Sequence, residues 1–584
     1  MKKLLSGNEA VARGAYEYGV VVATAYPGTP STEILEEISK NYPEIYAEWS
    51  TNEKVAFEVA LGAAFAGARS LVAMKHVGLN VAADPLMTSA QIGVVGGFVI
   101  VSADDPGMHS SQNEQDNRRY ALFAKIPLIE PSDSQESKDF LGAALEISER
   151  FSIPVLFRIT TRISHSKGIV ELGERKESVI KPYQKNIAQR VTVPSNARKL
   201  HIALEKKLER IREYAETCHL NRIEWGDKKI GIITSGISYQ YAREVFPGAS
   251  FLKLGLSYPF PGKLVKGFAD RVERLIVIEE NEPFIEEQCR LLGLAPEGKD
   301  KLSLCGELNQ AIIREAFGLT SSKPGIDVSD IPARFPVLCP GCPHRGFFYL
   351  LHKHKVTATG DIGCYTLGIV PPLEALETCV CMGASVGNAR GMELAFDRSG
   401  DKRRVVAVIG DSTFIHGGIT GLIDIAYNKG KTIVVVLDNN TTAMTGFQPH
   451  PGTGCTIRGE ATVRLEFSKL AEAMGIKRYY ETPAYDLKAI DRVLKEALSS
   501  DEPALIVNKG PCILLRRGEK FVPNKVDPEK CTACGMCFRL GCPAIYRLED
   551  KKAYIDPLFC VGEVCNLCVQ LCPFEAIGAD KEVA

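Results

Sequence analysis

Val405-Val406-Ala407-Val408-Ile409-Gly410-Asp411-Ser412 and, twenty residues further on, Thr432-Ile433-Val434-Val435-Val436-Leu437-Asp438-Asn439-Asn440-Thr441 decide how this chain folds. Both are unbroken apolar runs closed by turn-forming residues, which reads as buried strands, and the span between them holds one helix starting near Gly418. Strand, helix and strand in that order make a parallel βαβ unit. Asp411 and Asn439 then fall 28 residues apart, at the ends of neighbouring strands. A carboxylate and an amide so placed can hold Mg2+ together with a backbone carbonyl near Thr441, the remaining ligands being waters and phosphate oxygens. Gly410 would let the backbone approach a diphosphate, and Ser412 opens the segment whose amide groups face that anion. Gly-Asp and Asn-Asn pairs also make ordinary turns, so the spacing alone serves either reading.

Outward from this unit the same alternation continues. The 584 residues exceed what one core can organise and imply several domains. With 45% hydrophobic residues and a formal net charge of -1, the composition is that of an ordinary soluble globular protein, with no electrostatic case for nucleic acid or a membrane surface, and the alternation of short strands with helices is that of stacked α/β domains with mostly parallel sheets. The glycine-interrupted run from Ile92 to Ala103 reads as a buried strand and is too short to span a bilayer. The first residues lack the apolar stretch of a signal peptide, and eighteen cysteines then imply reduced thiols for metal in the cytoplasm. Ser6 and Glu9 form a capping box before the first helix, and the strand Val20 to Ala25 leads into Tyr26-Pro27-Gly28-Thr29-Pro30. The segments expected are 1–190, a charged connecting helix within 191–228 with Leu200, Leu204, Leu208, Ile211 and Ala215 on one face, 229–331, 332–515 and 520–584.

The last segment holds eight cysteines: Cys531-x2-Cys534-x2-Cys537-x4-Cys542-Pro543, then Cys560-x4-Cys565-x2-Cys568-x3-Cys572-Pro573. In doubled runs of this kind the fourth cysteine of each run ligates the other 4Fe-4S cluster. One cluster would take Cys531, Cys534, Cys537 and Cys572; the other would take Cys542, Cys560, Cys565 and Cys568. Paired zinc knuckles also use close-spaced cysteines but rarely in a crossed order with Cys-Pro closing both runs. Two spacings are one and two residues wider than the usual three and two, which lengthens loops around the clusters without removing a ligand.

The Asp411-to-Asn439 spacing resembles the diphosphate motif of thiamine diphosphate (TPP) enzymes, and Ala443-Met444-Thr445-Gly446-Phe447-Gln448 is similar to the loop that follows it in 2-oxoacid:ferredoxin oxidoreductases. Tyr26-Pro27-Gly28-Thr29-Pro30-Ser31 resembles the opening of that superfamily's TPP pyrimidine domain. Cys339-Pro340-Gly341-Cys342-Pro343-His344-Arg345-Gly346 resembles the entry of its diphosphate domain, and the cysteine-rich end resembles its ferredoxin module. The order of parts is most similar to the large α subunits of indolepyruvate ferredoxin oxidoreductases. The resemblance implies a pyrimidine-binding domain in 1–190, a transketolase C-terminal-like domain in 229–331, a diphosphate- and Mg2+-binding domain in 332–515, and a ferredoxin-like domain in 520–584. The implied reaction is oxidative decarboxylation of a 2-oxoacid: TPP activates the carbonyl carbon, CO2 leaves, iron-sulfur clusters draw off electrons singly, and coenzyme A takes the acyl group. Indolepyruvate would give indoleacetyl-CoA, CO2 and reduced ferredoxin, and a smaller β subunit would complete the enzyme.

Residue by residue, the resemblance implies Glu53 as the carboxyl group against the aminopyrimidine, although Ser50 or Thr51 can cap a helix whose first turn simply favours an acid. Glu58 reads as structural on the same helix. Thr29 matches a position that contacts the substrate carboxylate; Arg118, in the polar loop from Asp104 to Arg119, is a second carboxylate candidate, and His76 is a candidate proton donor. Met444 offers an apolar side chain to an aromatic substrate. Cys339, Cys342, Cys364 and Cys512 fall where pyruvate-specific relatives hold a third cluster beside TPP. His416, Cys379, Cys381 and Cys455 receive no role. The alternatives are a sister enzyme for pyruvate, 2-oxoglutarate or branched 2-oxoacids, and an electron-transfer subunit whose TPP fold no longer catalyses.

Overall fold

A computed structural model describes residues 1–319, 330–332 and 335–580. Parts of two expected segments, 320–329 with 333–334 and the final 581–584, lie outside the described residues. The chain forms two compact units, Met1–Asp327 and Val328–Ala584.

In the first unit a seven-stranded sheet runs in the order Leu256–Tyr258, Leu128–Ile129, Val155–Thr160, Phe98–Asp104, Ser70–Lys75, Val22–Ala25, Tyr46–Trp49. It is parallel except where Leu256–Tyr258 pairs antiparallel with Leu128–Ile129. The central strands are buried along their whole length, which is why they read as continuous apolar runs. Leu256–Tyr258 belongs to the segment 229–331, so that segment and the first share a sheet inside one unit. A second, four-stranded sheet is built on Asp227–Ser235. The connecting helix is Pro194–Ala215, and its buried residues are Leu200, Leu204, Leu208, Ile211 and Ala215. The Ser6–Glu9 capping box is present, with both reciprocal hydrogen bonds made.

Two sequence readings are corrected. The run from Ile92 is not a strand at its start: the helix Ala83–Ile92 ends on Gly93 at φ 65°, and the strand begins at Phe98. A Cβ at Gly96 would lie 2.1 Å from the Ala68 carbonyl oxygen, so these glycines serve a tight connection.

The second unit centres on a six-stranded parallel sheet in the order Thr378–Cys379, Thr357–Gly360, Val405–Gly410, Ile433–Asp438, Ala504–Lys509, Arg478–Pro483. Here the second correction falls. Helical backbone starts directly at Asp411, passes through a wide turn over Phe414–Gly418 and continues as Ile419–Tyr427. Gly417 and Gly418 therefore lie inside the helical stretch, where Gly417 lets the backbone of Gly383 pack close. The cysteine-rich end adds two small antiparallel ribbons, Asn524–Val526 with Ile577–Ala579 and Ile545–Arg547 with Ala553–Ile555. Its Leu540, Ile555, Leu567 and Ile577 share one apolar core with Phe347, Phe348 and Val406 of the sheet domain, so this module is packed onto that domain.

Candidate functional site

Three neighbouring strand ends of the first unit carry the candidate catalytic groups, the usual location for a ligand crevice in a parallel sheet. Glu53 opens the helix Glu53–Phe65 after the strand Tyr46–Trp49 and is buried. Asn52, rather than Ser50 or Thr51, caps this helix, accepting the Val55 amide at 2.9 Å. A Cβ on Gly78 would sit 2.7 Å from both Cγ and Oε1 of Glu53, so the carboxyl group lies against a glycine that leaves it room. Glu58 pairs with Lys54 on the exposed side of the same helix.

Thr29 is half-buried in the turn after Val22–Ala25, a turn closed by Ser31 N donating to Gly28 O at 2.8 Å. Lys75 and His76 end the strand between these and Phe98–Asp104. His76 is fully buried, Nε2 lies 3.3 Å from both the carbonyl and the side-chain oxygen of Asn113, and burial holds its imidazole below the ordinary value. Lys75 was not singled out by the sequence. A Cβ on Gly28 would lie 3.0 Å from Lys75 Cβ, which puts the lysine beside the Thr29 turn. Its ammonium donates to Ser110 O at 2.6 Å, and burial pushes it down to about 8, against the pull of Asp105.

Arg118 is elsewhere in its chemistry. The guanidinium is 1% exposed and is taken up by Asp116, by Glu279 at 2.6 Å, and by the carbonyls of Glu280 and Glu282 at 2.8 and 2.9 Å. The expectation that it grips a substrate carboxylate is corrected: its donors are consumed in tying the polar loop to the second sheet's segment. The sequence could not show this, because Glu279 lies 161 residues away.

In the second unit Asp411 and Asn439 stand at the ends of adjacent strands. Asp411 accepts Ser412 N at 2.8 Å and Asn440 N at 2.9 Å, and His450 Nε2 is 3.2 Å away. Burial would raise this carboxyl group, but His450 and the amide donors hold it below the usual range. Asp438 behaves oppositely: burial, and then the neighbouring Asp411, push it up to about 6. Asn439 accepts Thr441 N at 3.2 Å and its amide lies 3.4 Å from His344 Nε2. Ser412 Oγ accepts from Thr442 Oγ1 at 3.0 Å. Gly410 has a different reason from the one expected: the space its Cβ would need holds the Tyr365 ring, at 2.4 Å. Met444, on the turn Ala443–Thr445, is 52% exposed. Asp361, also missed by the sequence reading, takes the amides of Gly383 and Ser385, each at 2.9 Å, and so fixes the turn that meets Gly417.

The donor set at Asp411, Asp438 and Asn439 fits a magnesium ion. It is oxygen-rich and buried, with two carboxyl groups competing for one charge, which a divalent cation would relieve. Among the described residues no three His, Cys, Asp or Glu side chains converge to hold an ion by themselves. Mg2+ commonly takes one or two protein groups and completes its shell from waters and phosphates.

The cysteines gather in three places. One cavity is lined by Cys531, Cys534, Cys537 and Cys572, and another by Cys542, Cys560, Cys565 and Cys568. The second also has Pro340, Gly341 and Arg345 in its wall. Backbone amides donate to Cys560 Sγ from Asn524 and Gly562, and to Cys572 Sγ from Ala576, all at 3.3 Å. Such N–H···S bonds are what a ligated thiolate uses. Cys339, Cys342, Cys364 and Cys512 form the third place. Burial pushes Cys342 up to about 12 and Cys364 up to about 11; Cys339 and Cys364 add to the first, Cys512 and Cys339 to the second. Cys512 N donates to Asn439 O at 2.9 Å, linking this group to the Asp411 site. Cys379 lies outside all three, its Sγ 3.7 Å from Asp361 O.

Comparison with known proteins agrees with this layout. Residues 13–217 match the family model for pyruvate flavodoxin/ferredoxin oxidoreductase, thiamine diphosphate-binding, and residues 361–507 match that for the thiamine pyrophosphate enzyme C-terminal TPP binding domain. The indolepyruvate oxidoreductase subunit IorA of Archaeoglobus fulgidus is 41% identical, with 99% of this chain and 98% of that protein covered. The chain belongs to the IorA family. Its relative from Thermococcus kodakarensis, with the same name, is 42% identical over 99% of this chain and 97% of that protein. A solved structure of 2-oxoglutarate:ferredoxin oxidoreductase from Magnetococcus marinus matches 54% of this chain and 65% of that one, with 18% identity and a TM-score of 0.46. Both TPP-binding parts of an IorA-family oxidoreductase are thus present, one in each unit. No described helix is long and apolar enough to cross a membrane.

Proposed function

We propose that this chain is the catalytic α subunit of a cytoplasmic, CoA-dependent indolepyruvate:ferredoxin oxidoreductase. The observation that carries the reading is full-length similarity to IorA proteins in a chain whose Glu53, Asp411 and Asn439 sit at strand ends and whose eight terminal cysteines line two separate cavities. TPP, when bound, supplies the electron sink at the carbonyl carbon of the 2-oxoacid. Glu53 holds a proton at the aminopyrimidine nitrogen, and Gly78 keeps that carboxyl group in place. Asp411, Asn439 and the Thr441 carbonyl would hold Mg2+, which would neutralise the charge of the diphosphate, with Gly410 and Ser412 shaping the strand end. Thr29 donates to the substrate carboxylate, and Lys75 takes over the cationic part once expected of Arg118. His76 stands beside them as a proton donor, and Met444 offers an apolar surface to the aromatic ring.

Cys339, Cys342, Cys364 and Cys512, then Cys542, Cys560, Cys565 and Cys568, then Cys531, Cys534, Cys537 and Cys572, would hold three iron-sulfur clusters, which would supply single-electron relays toward ferredoxin. The wall shared by the Cys339–Arg345 loop and the second cavity supports that order. A smaller β subunit completes the enzyme. Glu53→Ala in the anaerobically purified complex tests the catalytic part of the reading. It should lower indolepyruvate-dependent ferredoxin reduction by about 100- to 10,000-fold, with the clusters' absorbance unchanged. Full activity in that variant would assign the chain to electron transfer alone.

A further inference from the structure

Arg345 is a buried cation without an anion. It is 2% exposed, and its donors go to backbone carbonyls: Nη1 to Leu540 O and Gly541 O, both at 2.7 Å, and Nη2 to Leu338 O at 2.6 Å and Cys339 O at 3.0 Å. Nε finds no partner among the described residues, and among them no carboxylate pairs with the group. An unpaired guanidinium in a protein interior is costly unless a negative charge faces it. The side chain forms part of the wall of the cavity lined by Cys542, Cys560, Cys565 and Cys568, and it opens the helix Arg345–Lys353 directly after the loop that carries Cys339 and Cys342. Four cysteines line that cavity with it, so the anions the guanidinium can meet there are thiolates and the group they hold.

The two widened cysteine spacings meet at this point. The longer first run supplies Leu540 and Gly541, whose carbonyls are the acceptors for Nη1; Gly541 has φ 60° and abuts Pro372. The longer second run supplies Val561, which fills the space a Cβ on Gly341 would need, at 2.4 Å, between Cys339 and Cys342. Both extra loops therefore dock on the Cys339–Arg345 loop.

We propose that Arg345 is the positioning cation of the internal electron path: locked by the widened loops between the Cys339/Cys342 loop and the Cys542/Cys560/Cys565/Cys568 site, it raises the reduction potential of the cluster held there. This rests on the proposed cluster assignment. Reduction adds one electron, and so one negative charge, to that cavity without a proton; the electron comes from oxidation of the 2-oxoacid and passes on to ferredoxin. A fixed positive charge in the cavity wall stabilises the reduced form and leaves the more distant Cys531/Cys534/Cys537/Cys572 site nearly untouched.

The test is an EPR-monitored redox titration of the full complex carrying Arg345→Met or Arg345→Lys, with iron content measured alongside and the outer signal assigned by Cys534→Ser. Arg345→Met should reduce the equilibrium constant for reducing the inner cluster about tenfold, a fall of about 59 mV for one electron. Arg345→Lys should stay within about threefold of the parent, and the outer cluster should not move in either. Loss of the inner cluster's iron in Arg345→Met but not in Arg345→Lys would equally support a charge requirement. Unchanged potentials with full iron would overturn the proposal, as would equal loss of iron in both variants, which would make Arg345 a structural pin. A parent complex without cluster signals would instead overturn the cluster assignment.

Discussion

At the scale of single residues, placing the proposed carboxylate contact on Lys75 instead of Arg118 alters the pH dependence expected of substrate binding. An arginine keeps its charge at every accessible pH, whereas burial pushes Lys75 down to about 8. Below that pH the ammonium is available to a substrate carboxylate; above it the charge is gone. In the parent complex kcat/KM for a 2-oxoacid should therefore fall as pH rises through about 8. In Lys75→Met it should be lower by about 10- to 100-fold and lose that alkaline limb. A steady-state pH profile checks both, and an unchanged alkaline limb in the variant would remove Lys75 from the site. Placement was legible where it is local: spacing and residue type put Asp411 and Asn439 at neighbouring strand ends and sorted the terminal cysteines into two sets. It was not legible for Arg118, whose partner Glu279 is remote in sequence, nor for Lys75, whose neighbours come from the Gly28 turn and the Ser110 loop.

At the scale of elements, alternation and capping carried most of the fold. The connecting helix presents the five apolar residues that periodicity selects, because a single buried face is a local property. Glycine-rich stretches misled. Gly417 and Gly418 look like a helix start and lie inside one, since the packing they permit against Gly383 and Ile409 appears only in three dimensions. The four cysteines at 339, 342, 364 and 512 come from three separate segments, the first two from one loop, Cys364 from the turn Cys364–Ile369, and Cys512 from just after the strand Ala504–Lys509. A third cluster on them is testable. Cys512→Ala should lower iron in the complex by about four atoms, one cubane. Unchanged iron by chemical assay would leave that cysteine as a pin for the Asn439 carbonyl.

At the scale of the whole molecule, the chain joins two α/β units, one with candidate groups for the aminopyrimidine end of TPP and one with those for the diphosphate end, and its cysteine-rich C-terminal module shares the second unit's core. That sharing holds the Cys339 loop and the terminal cysteines on one apolar core, as the proposed path requires. Charge and composition offered no electrostatic case for nucleic acid, and they could not show that five sequence segments condense into two units, because the shared sheet and shared core are long-range. The claim that most needs a measurement is the substrate. The complex of this chain with its smaller subunit, purified anaerobically, should be assayed for CoA-dependent ferredoxin reduction with indolepyruvate, phenylpyruvate, pyruvate and 2-oxoglutarate. The highest kcat/KM is expected for indolepyruvate, with phenylpyruvate next; a higher value for pyruvate or 2-oxoglutarate would contradict it.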